Sequence, residues 1–183
     1  MSRTVFRRWA AAAILAGLMA QASSGAEVDP CTKFKWDVSR ELAVMQQTPQ
    51  VLAAAVKPGA SVPEVKIGTL YALQLADQAG VTFIASPAKS HASDGATAGI
   101  VHFRTGKAGR YRVSITDGHW IDIVDGADLL KSEDFQGHVG CARPSKIVEF
   151  VLPAKRVLAL QLSGSNGAAV VIAITAVDGK PAN

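Results

Sequence analysis

His138 and Cys141 stand three residues apart in the glycine-rich stretch FQGHVGCARPSK, residues 135–146. A histidine and a cysteine can bind a metal together or act as base and nucleophile, and the cysteine can instead form a disulfide. The only other cysteine is Cys31. Because two cysteines allow one pairing and exported chains form disulfides, we predict a Cys31–Cys141 bond. Two unpaired buried thiols are the alternative.

The four histidines are well separated along the chain: His91, His102, His119 and His138. A cupin-type metal site needs His-x-His on one strand, but Arg104 follows His102 at that spacing and Ile121 follows His119. Histidines on neighbouring strands can still converge, because strands lie only about 5 Å apart. We predict that these histidines lie on the surface or have structural roles, and an iron site remains the open alternative.

The stretch DIVDGAD, residues 122–128, offers three carboxylates, and calcium prefers such oxygen ligands. The EF-hand pattern is not met, and a type I′ hairpin turn at Asp125-Gly126 explains the stretch more simply. We therefore predict no metal and no other cofactor, with calcium as the second open alternative.

Trp120 and Asp122 form a candidate ligand platform in the strand-like stretch HWIDIV. If Ile121 and Ile123 face the core, the indole and the carboxylate face outward, where they can bind a sugar or a cation. The opposite parity would make Trp120 a core residue. We predict that the isoleucines face inward.

The elements that must position these residues are mostly strands. From residue 64 the apolar residues alternate with a period of two. We predict eight strands, at 64–75, 81–85, 100–105, 110–116, 119–124, 146–152, 156–163 and 169–175, with a ninth candidate near 127–131. Turn signals at 106–109, 117–118, 125–126 and 164–167 fit hairpins. This pattern predicts a mainly β fold, an antiparallel β-sandwich or jelly-roll with one N-terminal helix.

The N-terminal helix is predicted over residues 30–47, with an apolar stripe at helical spacing and Asp29 as its N-cap. Residues 27–63 then comprise this helix and a connector, and residues 64–183 the sandwich. Together, residues 27–183 form a single folded unit.

Residues 1–26 read as a secretory signal peptide, with three arginines, an apolar run and a small-residue cleavage site. An uncleaved anchor is the alternative. The whole chain has 19 Lys+Arg and 15 Asp+Glu, and removal of three leader arginines leaves 16 − 15 = +1. We therefore expect a periplasmic or secreted protein with no stable membrane anchor and no nucleic-acid partner.

Two long connections, 86–99 and 132–145, join the predicted strands, and long loops on a rigid scaffold often carry binding sites. The candidate ligand surface therefore comprises Trp120, Asp122, His138 and His91.

The stretches YRVSI and LQLSG resemble strands of pre-peptidase C-terminal type domains, over about residues 99–176. The stretches CTKFKWDVSRELAVM, GTLYALQL, WIDIV and DFQGHVGCARPSKIVEFVLP resemble a family of small exported proteobacterial proteins. Some members are labelled homogentisate 1,2-dioxygenase. That enzyme class holds ferrous iron with two histidines and a glutamate in a cupin. Because that motif is absent here, no dioxygenase site residue is carried over.

These observations favour a binding or accessory protein over an enzyme, with an unknown small ligand or an envelope protein as partner. The alternatives are an iron-dependent oxygenase, as the label implies, and an envelope protein-interaction module.

Overall fold

The computed structural model describes residues 29–89 and 94–177. Within these ranges the chain forms one α-helix, α1 (Ser39–Met45), and twelve β-strands. The strands are β1 (Gln50–Ala53), β2 (Glu64–Val65), β3 (Leu70–Gln74), β4 (Ala76–Asp77), β5 (Thr97–Arg104), β6 (Gly109–Ile115), β7 (Trp120–Asp125), β8 (Asp128–Leu130), β9 (Ser132–Gly137), β10 (Lys146–Leu152), β11 (Val157–Ser165) and β12 (Ala169–Ala176). The predicted fold class, a β-sandwich with one helix, is confirmed.

The strands form two sheets that face each other. Sheet A has the order β1-β3-β12-β6-β10-β9, and sheet B has the order β2-β5-β11-β7-β8, with β4 paired to β5. Two pairs, β1–β3 and β2–β5, are parallel, and the others are antiparallel. Both sheets are therefore mixed.

The main core lies between the two sheets and is built from one parity of most strands. Ile121 and Ile123 of β7 belong to it, as predicted, together with Phe103, Phe150 and Leu160. The alternation of apolar residues thus correctly predicts which side chains face the core.

Three of the four predicted hairpin turns are instead crossovers between the sheets. The turns after β5, β6 and β11 each join a strand of one sheet to a strand of the other. Alternation shows which face of a strand is buried, but both sheets bury their inner faces, so it cannot identify the neighbouring strand. Only the β7–β8 turn is a hairpin among these four. There Gly126 has φ 66° and Ala127 does not have a positive φ, which corresponds to a type II′ rather than a type I′ turn.

The segment 81–85 is not a strand, contrary to the prediction. Its backbone bonds to a side chain instead, because the N–H of Ile84 donates to Gln161 Oε1 (2.7 Å) and Gln161 Nε2 donates to the carbonyl of Ala85 (3.0 Å). The segment packs on the outer face of sheet B, where Ile84 and Ala85 contact a small apolar cluster that contains Val124.

Two predicted loops also contain strands. The connector at 48–63 contributes the edge strand β1, and the loop at 132–145 contributes the edge strand β9. The sequence of β9, SEDFQG, is polar because an edge strand buries little of its surface.

The predicted helix over residues 30–47 is wrong in its first half. Pro30–Thr32 forms a 3-10 turn capped by Asp29, and the α-helix begins only at Ser39. Residues between them follow β9 instead, where the N–H of Lys35 donates to Gln136 Oε1 (2.7 Å). None of the helices in the described ranges is long and apolar enough to cross a membrane.

Candidate functional site

A slot opens beside β7 at the predicted platform residue Trp120. Strand β8 pairs with β7 at residues 123–125, and the slot lies beyond the last of these pairs. The slot has a volume of ≈ 260 Å³. Its lining comprises Ala88, Trp120, Ile121, Asp122, Leu129, Leu130, Lys131, Ser132 and Phe150.

Asp122 lies on the outer face of sheet B, as its parity predicts, but it is only 6% exposed. The segment 84–89 covers this face, and the N–H of Ala88 donates to Asp122 Oδ2 (3.1 Å). The other oxygen, Oδ1, accepts the indole N–H of Trp120 (2.9 Å). Asp122 therefore fixes both the indole ring and the segment that covers it.

Burial raises the pKa of Asp122, because it disfavours the charged carboxylate, while the bonds from Trp120 and Ala88 lower it less strongly. Trp120 is further held by Lys89, whose ammonium lies 4.6 Å from the ring centroid. The predicted pair Trp120 and Asp122 is thus brought together at one site, in a partly buried setting rather than on an open face.

His138 lies at a second place, in the loop between β9 and β10. The disulfide Cys31–Cys141, which the sequence predicts, anchors this loop to the N-terminal segment. His138 packs against the ring of Phe34, with centroids 5.7 Å apart, and its Nδ1 lies 2.9 Å from the carbonyl of Val139. It borders a wide depression of ≈ 520 Å³ that shares no lining residue with the slot. The structure therefore does not join His138 to the Trp120 site, and His91 lies outside the described residues.

A buried network around His119 was missed by the sequence interpretation. His119 is 0% exposed, with Nδ1 2.7 Å from Asp117 Oδ2 and Nε2 2.9 Å from the hydroxyl of Thr97. This acid–imidazole–hydroxyl order is also found in catalytic triads. Here, however, the Thr97 hydroxyl donates to the carbonyl of Gly167 (2.6 Å), so the network ties the β6–β7 and β11–β12 turns to β5. The spacing Asp-x-His could have placed Asp117 beside His119, since aspartates in turns often accept a hydrogen bond from the backbone N–H two residues further on. Asp117 Oδ1 accepts this bond from the N–H of His119 (3.0 Å).

Lys146 reinforces the same end of the sandwich. Its ammonium donates to the carbonyls of His119 and Gly118, and thereby links β10 to the β6–β7 turn. Burial lowers the pKa of Lys146, and the nearby Asp117 carboxylate partly opposes this effect.

An ionic cluster is buried between α1 and the outer face of sheet A. Arg112 Nε donates to Glu149 Oε2 (3.0 Å), and Arg112 Nη1 lies 3.6 Å from Glu41. The hydroxyl of Thr175 donates to Glu41 (2.6 Å). The cluster borders a cleft of ≈ 360 Å³, where the indole of Trp36 lies against the guanidinium of Arg112. Arg112 lies between two buried glutamates, Glu41 and Glu149, and the partly exposed Arg110 also bonds to Glu149, so each buried charge faces an opposite one, as is typical of a structural cluster.

The candidate calcium ligands do not converge. Asp122 bonds to Trp120 and Ala88, while Asp125 bonds to Arg156 (2.6 Å). In residues 29–89 and 94–177, no group of three or more His, Cys, Asp or Glu side chains could hold a metal ion.

No protein-family model, curated protein or solved structure matches this chain.

Proposed function

We propose that the protein is an exported, periplasmic binding or accessory protein whose ligand site is the slot beside Trp120. The observation that carries this proposal is the position of an indole and five aliphatic or aromatic residues around an open space beside β7. Export rests on the leader pattern of residues 1–26, and the disulfide agrees with an oxidising compartment.

The wall of the slot is fixed before any ligand arrives. Asp122 accepts the Trp120 N–H, Ala88 donates to Asp122, and Lys89 lies against the indole face. A ring held on several sides loses little side-chain freedom on binding, so more of the contact energy remains for affinity.

The size of the slot supports a small ligand. Sites for drug-sized molecules usually measure about 300–1,000 Å³, and the slot, at ≈ 260 Å³, lies just below that range. The ligand we expect is either a small metabolite or the apolar part of a larger compound.

Retention of small molecules by the purified protein tests this proposal. The chain from residue 27 onward is equilibrated with a periplasmic small-molecule extract, and retained compounds are identified by mass spectrometry. We expect at least one compound that wild type retains and a folded Trp120→Ala variant does not.

Val51→Ala is the matched control, because Val51 is an exposed apolar residue on β1, the edge of sheet A opposite to β9. This variant should retain the same compound as wild type. If every retained compound binds the Trp120→Ala variant equally well, the slot is not the ligand site.

A further inference from the structure

We infer that the slot selects small amphipathic anions, in which one carboxylate is attached to a compact or short-chain apolar group. This inference rests on the proposed function, and it adds the chemical class of the ligand. Three features of the slot carry it: its size, its apolar floor and the charges at its rim.

The size limits the apolar group. At ≈ 260 Å³ the slot lies just below the range of about 300–1,000 Å³ that is usual for drug-sized molecules, so it fits a compact or short-chain group. An unbranched acid of about eight carbons, or a branched acid of similar size, belongs to this class.

The floor of the slot is apolar. Ile121 and Phe150 reach it from the core of the sandwich, and Leu129 and Leu130 border it from β8. Ser132 is the one neutral polar residue of the lining. An alkyl group that enters this space removes apolar surface from water on both sides of the contact, which is the main favourable contribution to binding.

The exposed charge in the lining of the slot is positive, because Lys131 is exposed whereas Asp122 is buried. Lys131 lines the slot and is exposed, and Lys89 is held over the adjacent indole. The one carboxylate in the lining, Asp122, already accepts a hydrogen bond on each oxygen. Glu133 follows on β9 but does not line the slot. A carboxylate at the mouth therefore meets the exposed ammonium of Lys131, with the ammonium of Lys89 on the adjacent indole, whereas an amine at the same position is repelled.

Three ligands of equal chain length test the inference: octanoate, octan-1-ol and octylammonium. In a Trp36→Phe background, Trp120 is the only tryptophan from residue 27 onward, so its fluorescence reports on the slot. At low ionic strength we expect octanoate to bind about 5-fold more tightly than octan-1-ol and at least about 10-fold more tightly than octylammonium. Lys131→Gln should weaken octanoate binding about 2- to 5-fold and leave octan-1-ol unchanged.

Lys66→Gln is the control for loss of a positive charge, since Lys66 is an exposed lysine beside β2, the edge of sheet B opposite to β8. It should not change octanoate binding. Equal binding of all three ligands, unaffected by Lys131→Gln, overturns the anion selectivity but leaves the slot as a binding site. If none binds while a natural compound is retained through Trp120, the ligand class is wrong and the proposed function stands. If none of the three ligands binds and no compound is retained through Trp120, both the ligand class and the proposed function are wrong.

Discussion

At the scale of single residues, Asp122 shows how a charged side chain becomes a structural clamp. Its parity on β7 predicts an outward position, and the structure confirms that direction. Its burial was not predictable, because Ala88, which covers it, lies in the stretch 86–99 that was expected to be a long connection. Once covered, the carboxylate has to accept hydrogen bonds on both oxygens, from Trp120 and Ala88, to offset its desolvation.

The pH dependence of stability tests this role of Asp122. Since its pKa is raised in the folded state, the folded protein holds the proton more tightly than the unfolded chain. Its contribution to the free energy of unfolding is therefore largest below the unfolded pKa and falls as pH rises through the folded pKa. In Asp122→Asn this dependence disappears, and the amide leaves one donor unpaired. We expect a loss of about 1–3 kcal/mol near pH 3 and a smaller loss at pH 7.

Urea unfolding of both proteins between pH 3 and pH 8 measures this difference. The control is Asp128→Asn, which removes an exposed carboxylate from the neighbouring strand. A loss for Asp122→Asn that grows with rising pH would contradict the assignment, because it would mean that the charged form stabilises the fold.

At the scale of elements, the sequence predicts strands well where large apolar residues on one face alternate with polar or small residues on the other. β6, β10 and β12 mostly alternate in this way and lie close to their predicted positions. The failures occur where side-chain contacts, rather than a ladder of backbone hydrogen bonds, hold a segment. Residues 81–85 cover sheet B and bond to Gln161, and residues 33–38 leave the helix because they bond to β9 and pack against Cys141. Such partners are distant in sequence, so local periodicity does not reveal them.

The same limit applies to the site. Alternation and residue type identified Trp120 and Asp122, but the slot beside them depends on where β8 stops pairing with β7. The separation of His138 from Trp120 depends on which strands cross between the sheets. Neither property has a local signal in the chain.

The attachment of α1 to sheet A gives the prediction at this scale. A seven-residue helix is not stable alone, so its packing and the Arg112 cluster must hold it in place. Arg112→Leu leaves Glu41 buried without its cationic partner. We expect a loss of about 3–5 kcal/mol in the free energy of unfolding, measured by urea titration.

Ser114→Ala is the matched control, since Ser114 lies two residues further along β6 and is equally buried on the outer face. Its hydroxyl has no hydrogen-bond partner among the described residues. Its removal should change stability by no more than about 1 kcal/mol and can even be favourable. Equal effects of the two substitutions would show that the ionic cluster does not hold the helix.

At the scale of the whole molecule, one covalent bond closes almost the entire sandwich. Cys31 and Cys141 are 110 residues apart, and every strand from β1 to β9 lies between them. In the unfolded chain this bond removes many extended conformations, and the entropic benefit rises slowly with the size of the closed loop. The bond does not border the slot, so the disulfide and the proposed ligand site lie in separate parts of the fold.

The double variant Cys31→Ser/Cys141→Ser separates a structural bond from a functional thiol pair. We expect it to lose about 2–5 kcal/mol of unfolding free energy, chiefly because its unfolded chain is less restricted. In the Trp36→Phe background, the fluorescence of Trp120 and its response to octanoate should stay unchanged below the unfolding transition, since no slot contact is lost. The intact mass of the untreated wild type should show both thiols oxidised. Two free thiols in the wild type would show that the cysteines do not stabilise the sandwich through a disulfide. A slot response that disappears in the double variant while the protein is still folded would show that the cysteines also contribute to ligand binding.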